Sequence, residues 1–298
     1  MALEEQSKSP SSSKLKEFEK ALLESIRQMQ DAPGAPKLGK ALEYAVFRGG
    51  GRIRPQLCME VANACGYEDE RIVISSCVAV ELIHCASLVH DDLPCFDNAL
   101  FRRGKDSTHI KFGEPLAILA GDSLIVRAFE ELAVASSGNP DKLATLITLL
   151  GKSTGMPAGI CSGQGWESEK EINLASYHRL KTSSLFVAAS QMGAVSAGSD
   201  PEAWLGLGEG IGEAFQIADD LRDYKGSEES IGKPINQDAF NNRPNACKEL
   251  GPEGAKCKIR DVLEKAILSI PKCSGKDKLV KIVKKQAKVL MSAGSDGK

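Results

Sequence analysis

The sequence predicts an all-helical protein that folds as one domain. Apolar residues recur at helical spacing through most of the 298 residues, and this periodicity is the main signal for amphipathic helices. No Asn-Gly or Asp-Gly turn lies between alternating apolar and polar segments, so β-hairpins are not predicted. Short breaks rich in glycine and proline separate the periodic segments, which is typical of helix bundles.

The helices are predicted in order from this periodicity and from the breaks that end it. The first spans residues 15–29 and ends at the proline-containing segment 31–36. The second runs from about residue 38 to residue 47 and ends at three consecutive glycines. Further helices are predicted near residues 55–65, 70–90, 113–135, 140–152, 172–196, 201–223 and 277–291.

The two ends of the chain are predicted to be disordered, and the N-terminal end lacks the apolar core of a signal peptide. They comprise residues 1–13 and 293–298, and residues 14–292 are predicted to form the single domain. The most apolar stretch, residues 72–90, contains Glu81 and two histidines. A buried core helix is therefore expected there rather than a membrane span.

Composition restricts the partners and the compartment. The formal net charge is -2, so no general attraction to nucleic acid or to a membrane is expected. The nine cysteines show neither Cys-x-x-Cys pairs nor zinc-like spacing, which is typical of reduced thiols. We expect a cytoplasmic protein with no nucleic-acid partner and no stable membrane insertion.

Two short acidic clusters carry the strongest chemical signal. Each has three aspartates beside apolar, helical sequence: Asp91, Asp92 and Asp97 in the first, Asp219, Asp220 and Asp223 in the second. So many like charges repel one another and lose hydration unless a cation joins them. Mg2+ fits because it takes one or two carboxylates together with substrate phosphates. The clusters predict several Mg2+ ions that hold a diphosphate, and the alternative is a solvated acidic face.

Helix geometry refines this prediction. Asp219 and Asp223 stand four residues apart and share one face of a helix, whereas Asp220 points about 100° away. In the first cluster, Pro94 disturbs the turn between the outer aspartates, which favours their approach to one ion.

Basic residues accompany the acidic clusters. They are Arg52 and Arg54, Arg102 and Arg103, Lys181 beside Thr182, and Lys233. Arginine forks match phosphate oxygens bidentately. Any one of these residues alone is typical of a surface charge. Collected around two metal clusters, they are expected to be counter-charges for two diphosphates.

Together these motifs resemble the trans-type isoprenyl diphosphate synthases, the polyprenyl synthetase family, over residues 38–240. The matching motifs are Gly-Gly-Gly-Arg-Ile-Arg-Pro at 49–55, Glu-Leu-Ile-His at 81–84, Asp-Asp-Leu-Pro-Cys-Phe-Asp at 91–97, Arg-Arg-Gly-Lys at 102–105, Lys-Thr at 181–182, Phe-Gln-Ile-Ala-Asp-Asp at 215–220 and Ile-Gly-Lys-Pro at 231–234. The resemblance implies an all-α isoprenoid synthase helical bundle with a central apolar cavity, usually a homodimer. It implies a prenyltransferase that joins isopentenyl diphosphate to an allylic diphosphate.

The resemblance also implies residue roles. About three Mg2+ ions would bind, two at Asp91 and Asp97 and one at Asp219, with water ligands ordered by Asp92, Asp220 and Asp223. The allylic diphosphate would be held by Arg102, Lys181, Thr182, Gln216 and Lys233. Isopentenyl diphosphate would be held by Arg54, His84 and Arg103. The released diphosphate would accept the final proton, so no protein base is expected.

The chain departs from the family pattern at three places. Gly51 replaces a lysine that contacts isopentenyl diphosphate, and a lost charged hydrogen bond costs about 1.5–3 kcal/mol unless Arg52 or another cation compensates. Glu167 replaces the aspartate of a Gly-Gln-x-x-Asp motif and keeps the carboxylate. Residues 241–245, Asn-Asn-Arg-Pro-Asn, resemble the corresponding segment of bacterial geranylgeranyl diphosphate synthases.

The residues before the first cluster bear on product length. Farnesyl-forming relatives often have an aromatic residue five positions before the first aspartate, where this chain has Ala86 followed by Ser87. Leu82 and Ile83, one turn earlier, are candidates for the floor of the tail site. A helical turn rises about 5.4 Å, close to one prenyl unit, so the smaller residue admits about one more unit. We predict geranylgeranyl diphosphate as the product.

Three other functions remain as alternatives at this stage. A farnesyl diphosphate synthase would stop one prenyl unit earlier. A non-catalytic modulating subunit commonly loses aspartates, whereas this chain keeps all six. A terpene cyclase would not need the three residues assigned to a second diphosphate.

Four alternating glycines precede the second cluster: Gly206, Gly208, Gly210 and Gly212. No strand precedes them and their spacing does not match a nucleotide-binding loop. They predict close helix packing instead.

Overall fold

The computed structural model describes residues 10–171, 176–177, 179–225 and 246–292, and these are helical almost throughout. The α-helices are α1 Pro10–Gln28, α2 Pro36–Val46, α3 Ile53–Cys65, α4 Glu70–Asp91, α5 Thr108–Phe112, α6 Glu114–Ala135, α7 Pro140–Thr154, α8 Ile160–Gly165, α9 Ser184–Ser196, α10 Leu205–Lys225, α11 Ala246–Ser269 and α12 Lys276–Ser292. A π-helical turn spans Arg179–Ser183, and short 3-10 turns span Trp166–Ser168 and Glu202–Trp204. The predicted all-α fold is confirmed.

Some boundaries differ from the sequence prediction. Helix α1 begins at Pro10, so residues 10–13 of the N-terminal stretch that was predicted to be disordered are helical. Helix α11 was not predicted, and it is interrupted at Gly251, where φ is 68°. A two-stranded antiparallel hairpin, β1 Phe101–Arg102 with β2 Lys105–Asp106, follows the first acidic cluster and was also not predicted. Its strands are too short to show apolar alternation.

Helix α4 lies at the centre of the bundle. It packs against α1, α2, α3, α6, α7 and α9. Its length and hydropathy match a membrane span, but 78% of its most apolar window is buried inside the protein. The prediction of a core helix for residues 72–90 is therefore confirmed. Because this helix ends at Asp91, the core carries the first acidic cluster on a rigid support.

The alternating glycines of α10 let two neighbours approach closely. A Cβ atom at Gly208 would lie 2.5 Å from the Cα atom of Val187 in α9. On the opposite side, a Cβ atom at Gly210 would lie 2.6 Å from the Cβ atom of Ala266 in α11. Side chains would keep these helices apart, so the predicted packing role of the glycines is confirmed.

The close contact at Gly208 leads to a stability prediction. We expect Gly208→Ala to lower the free energy of unfolding by about 1–3 kcal/mol, because the added methyl group would overlap backbone atoms of α9. Denaturant unfolding of the purified variant and wild type measures this change.

The matched control is Gly151→Ala in α7, where an added Cβ atom would meet nothing within 4 Å. There we expect stabilisation of up to about 1 kcal/mol, because alanine has the higher helix propensity. Equal stability changes at the two glycines would contradict the packing role of Gly208.

Candidate active site

The first acidic cluster is folded so that its outer aspartates come together. Helix α4 ends at Asp91, and the backbone N–H of Asp97 donates to the carbonyl oxygen of Asp91 at 3.0 Å. Burial raises the pKa of Asp91 to about 6; Lys181 opposes this rise, and the Asp97 carboxylate adds to it. The turn thus holds two like charges near each other, as the sequence predicted.

Asp92 has different surroundings. Its side chain is fully buried, and its Oδ1 atom accepts hydrogen bonds from Nε and Nη2 of Arg102 at 2.8 and 2.5 Å. A second arginine, Arg48, places Nη2 3.8 Å from Asp92 Oδ2. The water-ordering role predicted for Asp92 remains a prediction; in this structure its carboxylate is hydrogen-bonded to Arg102 and lies near Arg48. Sequence reasoning missed Arg48, which carries no motif signal of its own.

The second cluster lies on α10. Asp219 forms an ion pair with Arg222 at 2.5 Å, one helical turn away. The buried Asp220 accepts a hydrogen bond from Gln216 Nε2 at 3.0 Å, and Gln216 Oε1 accepts one from the Thr182 hydroxyl at 2.6 Å. Three predicted site residues therefore form one hydrogen-bonded chain. The side chain of Asp223 and all of Lys233 lie outside the described residues.

Lys181 and Thr182 lie in the π-helical turn, which two glycines hold in place. A Cβ atom at Gly163 of α8 would lie 2.5 Å from Lys181 Cα, and one at Gly212 of α10 would lie 2.5 Å from Ser183 Cα. Turns of this kind are frequent at functional sites. The turn is thus fixed from both sides by backbone contact.

Glu167 is the anchor of Lys181. Its Oε1 atom is 2.5 Å from the Lys181 ammonium group and accepts a hydrogen bond from the Tyr177 hydroxyl at 2.6 Å. Its Oε2 atom accepts one from Gln164 Nε2 at 2.9 Å. The sequence indicated that this glutamate keeps the motif's carboxylate, but it did not indicate the lysine or Tyr177 as partners.

The three residues predicted to hold isopentenyl diphosphate form a basic site. Arg54 Nη1 lies 3.4 Å from His84 Nε2, and the Arg54 guanidinium stacks 4.4 Å from the ring centre of Phe186. Burial lowers the pKa of His84 well below its usual value, and Arg54, Arg103 and further arginines lower it more. A histidine whose pKa is lowered by several neighbouring arginines marks a local excess of positive charge, which suits an anionic ligand.

The three-glycine turn shapes this basic site. Arg103 Nη1 donates to the carbonyl oxygen of Gly49, and its guanidinium occupies the space that a side chain at Gly50 would need. Arg52 does not replace the lysine missing at position 51, because it is buried and bound to Glu81 at 2.6 Å and to Glu19 at 3.0 Å.

The acidic and basic groups form one electrostatic unit. Burial lowers the pKa of Arg54 to about 10, and the Glu81 and Asp219 carboxylates counter this effect. At Asp91, Lys181 lowers the pKa and so counters the effect of burial there. Both aspartate clusters therefore stand opposite cations that sequence reasoning assigned to diphosphates.

The carboxylates fit Mg2+ without forming a ready-made cage. No group of three potential metal ligands is assembled among the described residues. A cage of protein ligands is not required, because Mg2+ usually combines one or two carboxylates with water and substrate phosphates. Burial, with a smaller contribution from the Asp97 carboxylate, raises the pKa of Asp91 to about 6, and a bound cation would favour its charged form.

The residues assigned to product length lie on α4 within the core. Ala86, Leu82 and Ile83 are buried, and Ser87 is half-buried with its hydroxyl donating to the His84 carbonyl oxygen at 2.9 Å. A cavity of about 330 Å3 lies elsewhere, between α3, α10, α11 and α12, and Phe215 lines it. None of the residues assigned to product length lines this cavity, so their role stays a prediction from the sequence.

Comparison with known proteins places this geometry in a family. The Polyprenyl synthetase profile matches residues 35–283. The chain is 52% identical to the geranylgeranyl diphosphate synthase of Cereibacter sphaeroides over 93% of this chain and 96% of that protein. It is 51% identical to the enzyme of the same name from Rhodobacter capsulatus, over the same shares of both chains.

A solved structure is similar as well. The geranyltransferase from Helicobacter pylori, complexed with magnesium and isoprenyl diphosphate, superposes with a TM-score of 0.78 over the full length of both chains at 26% identity. The resemblance deduced from the aspartate motifs is confirmed, and the chain belongs to the polyprenyl synthetase family.

Proposed function

We propose that this protein is a magnesium-dependent trans-prenyltransferase that condenses isopentenyl diphosphate with allylic diphosphates to make geranylgeranyl diphosphate. The full-length similarity to two bacterial enzymes named geranylgeranyl diphosphate synthase supports this reaction. Binding of magnesium and an isoprenyl diphosphate by a structural relative supports the metal.

The observation that carries the proposal is that cations stand in two groups near the aspartate clusters. One contains Lys181 opposite Asp91, and the other contains Arg54 beside the neutral His84. An enzyme that joins two diphosphates needs two such sites. A terpene cyclase ionises one diphosphate and has no use for the second site.

The allylic site would ionise its substrate. Asp91, Asp97 and Asp219 would hold about three Mg2+ ions, which neutralise the charge that develops on the departing diphosphate. Arg102, Lys181, Thr182, Gln216 and Lys233 would bind and orient that diphosphate. The contacts among Thr182, Gln216 and Asp220 support this role, because they fix the amide side chain before the ligand arrives.

The second site would hold isopentenyl diphosphate through Arg54, His84 and Arg103. Neutral His84 carries no positive charge, so the arginines would supply the charge that attracts the diphosphate. The single ring N–H of the histidine would orient the diphosphate through a hydrogen bond. Phe186 and Phe215, whose ring centres lie 5.4 Å apart at a tilt of 46° beside Arg54, would help to exclude water from the region where the carbocation forms.

We further propose a homodimer located in the cytoplasm. Four large apolar side chains of α6 are exposed: Ile118, Leu119, Val126 and Val134. Burial of this surface against a second copy would remove it from water. All nine cysteines are free thiols, which suits a reducing compartment.

The product-length proposal is tested at Ala86. The wild-type protein, incubated with Mg2+, isopentenyl diphosphate and farnesyl diphosphate, is expected to release the twenty-carbon product. Ala86→Phe is expected to leave farnesyl diphosphate unextended and, when supplied with geranyl diphosphate instead, to release mainly the fifteen-carbon product, because the larger ring blocks the tail site before Asp91.

Chromatography of the dephosphorylated alcohols measures both products. Ala86→Ser is the matched control, since it changes size little and is expected to keep the wild-type product. Failure of the wild type to extend farnesyl diphosphate would favour the alternative, a farnesyl diphosphate synthase.

Gly51 offers a gain-of-function test. Gly51→Lys restores the cation found in relatives, and we expect the KM for isopentenyl diphosphate to fall about tenfold while the allylic KM is unchanged. An added Cβ atom would lie 3.2 Å from the side chain of Ile53, which has room to adjust. Steady-state kinetics with each substrate varied in turn provide the measurement, and Gly51→Ala is the control. A fall in both KM values would contradict the assignment.

The pKa of Asp91 gives a test that does not depend on turnover. Since folding raises this pKa from 3.8 to about 6, the folded state binds the proton more tightly than the unfolded chain. Protonation of Asp91 therefore stabilises the folded state fully below pH 3.8, and this stabilisation is lost as pH rises through 6. Asp91→Asn should therefore become more stable than wild type between pH 4 and pH 7, by at most about 3 kcal/mol.

Denaturant unfolding of metal-free protein at several pH values measures this difference. Addition of Mg2+ with inorganic diphosphate at pH 7 is expected to stabilise wild type and to stabilise Asp91→Asn less. A difference between the two proteins that does not vary with pH would show that folding does not raise the pKa of Asp91.

A further inference from the structure

The basic site lacks a cation at position 51, where this chain has Gly51. The next residue, Arg52, does not fill the gap, because its guanidinium is paired with Glu81 and Glu19. Within the same site, the Nε atom of Arg54 is buried and has no hydrogen-bond partner among the described residues. Any replacement for the missing cation therefore comes from another element of the fold.

The cavity between α3, α10, α11 and α12 reaches this position. Gln56 and Ile53, at the start of α3, line its wall. Gln56 Nε2 donates to the carbonyl oxygen of Gly51 at 2.8 Å, and a Cβ atom at Gly51 would lie 3.2 Å from the Ile53 side chain. Phe215 also lines the cavity, and its ring centre lies 6.0 Å from the Arg54 guanidinium. One end of the cavity is thus bordered by residues that surround the basic site.

Lys285 of α12 lines the same cavity. Its side chain is exposed, and it forms no hydrogen bond or ion pair with any residue that the structure describes. A lysine whose charge is not paired within the protein is available to an anionic ligand.

The register of the two helices places Lys285 toward position 51. At the far end of α3, the backbone N–H of Gly275 donates to the carbonyl oxygen of Ala64 at 3.0 Å, and from this contact α3 and α12 both run along the cavity. Ile53 is eleven residues from Ala64, and Lys285 is ten residues from Gly275. Both separations correspond to about 15 Å of helix, so Lys285 lies at the Ile53 end of the cavity.

We propose that Lys285 supplies the cation that position 51 lacks and binds the diphosphate of isopentenyl diphosphate together with Arg54 and Arg103. The flexible four-carbon stem of a lysine can lie along the apolar lining while the ammonium group stays at the mouth of the cavity. The ammonium group offers three N–H donors to phosphate oxygens. The inference rests on the proposed function, in which the basic site holds isopentenyl diphosphate.

The first test compares two lysines of the same helix. Lys285→Met keeps an unbranched stem and removes the charge, and we expect the KM for isopentenyl diphosphate to rise about fivefold, since a charged hydrogen bond to the substrate is lost. The allylic KM and kcat are expected to stay within about twofold, because the interaction holds one substrate and not the transition state. Lys281→Met is the matched control, since Lys281 is also exposed but does not line the cavity, and it is expected to leave both KM values unchanged. Lys285→Arg, which keeps the charge, is expected to recover most of the loss.

A double-mutant cycle with Gly51→Lys tests whether Lys285 replaces the missing cation. In the Gly51→Lys background, Lys285→Met is expected to change the KM for isopentenyl diphosphate by less than about twofold, because the new lysine makes the contact redundant. The same fivefold rise in both backgrounds would overturn the replacement. An equal rise in both KM values would overturn it as well, because it would indicate a structural role. Lys285→Gln provides a second neutral variant if methionine impairs folding.

Failure of this inference and failure of the proposed function give different results. Turnover by the wild type, with an unchanged KM for isopentenyl diphosphate in Lys285→Met, would refute the role of Lys285 alone. Absence of wild-type turnover with Mg2+ and both diphosphates would refute the proposed function. Steady-state kinetics with each substrate varied in turn provide all of these values.

Discussion

Burial of negative charge at the end of α4 is the constraint on which the rest of the site depends. The most apolar helix of the protein ends in two adjacent aspartates, and each is placed differently. Asp92 turns into the core and is compensated by Arg102 and Arg48, whereas Asp91 turns toward Asp97 and keeps a raised pKa. One carboxylate is thereby paired within the protein, and the other is the one that we propose binds a cation.

Close backbone packing sets the opposite wall of the site. Gly163 and Gly212 hold the π-helical turn between α8 and α10, and this turn presents Lys181 and Thr182. Glu167 then fixes the lysine, and Gln216 fixes the threonine. A site built on rigid helices with few adjustable side chains suits a reaction that must hold a carbocation away from water.

Much of the fold could be predicted from local sequence, but not all of it. Long amphipathic segments such as those of α1 and α7 have enough periodicity to define a helix by themselves. Helix α11 was missed because Gly251 and Pro252 interrupt its pattern, and the hairpin at β1 and β2 was missed because two-residue strands carry no pattern. Among site residues, Arg48 and Tyr177 were missed because each acts through a partner that is distant in sequence.

The sequence by itself determined the chemistry of this protein. The order of two aspartate motifs, with Arg-Arg, Lys-Thr and Gly-Lys at fixed places, indicated a metal-bound diphosphate and the family, since local motifs record the residue types that a reaction requires. Only the tertiary structure decided which charges pair with which. It paired Arg52 with Glu81 and Asp92 with Arg102, and it buried His84 beside arginines that lower its pKa. Such pairings depend on burial and on distances between helices, and neither is encoded in the spacing of residues along the chain.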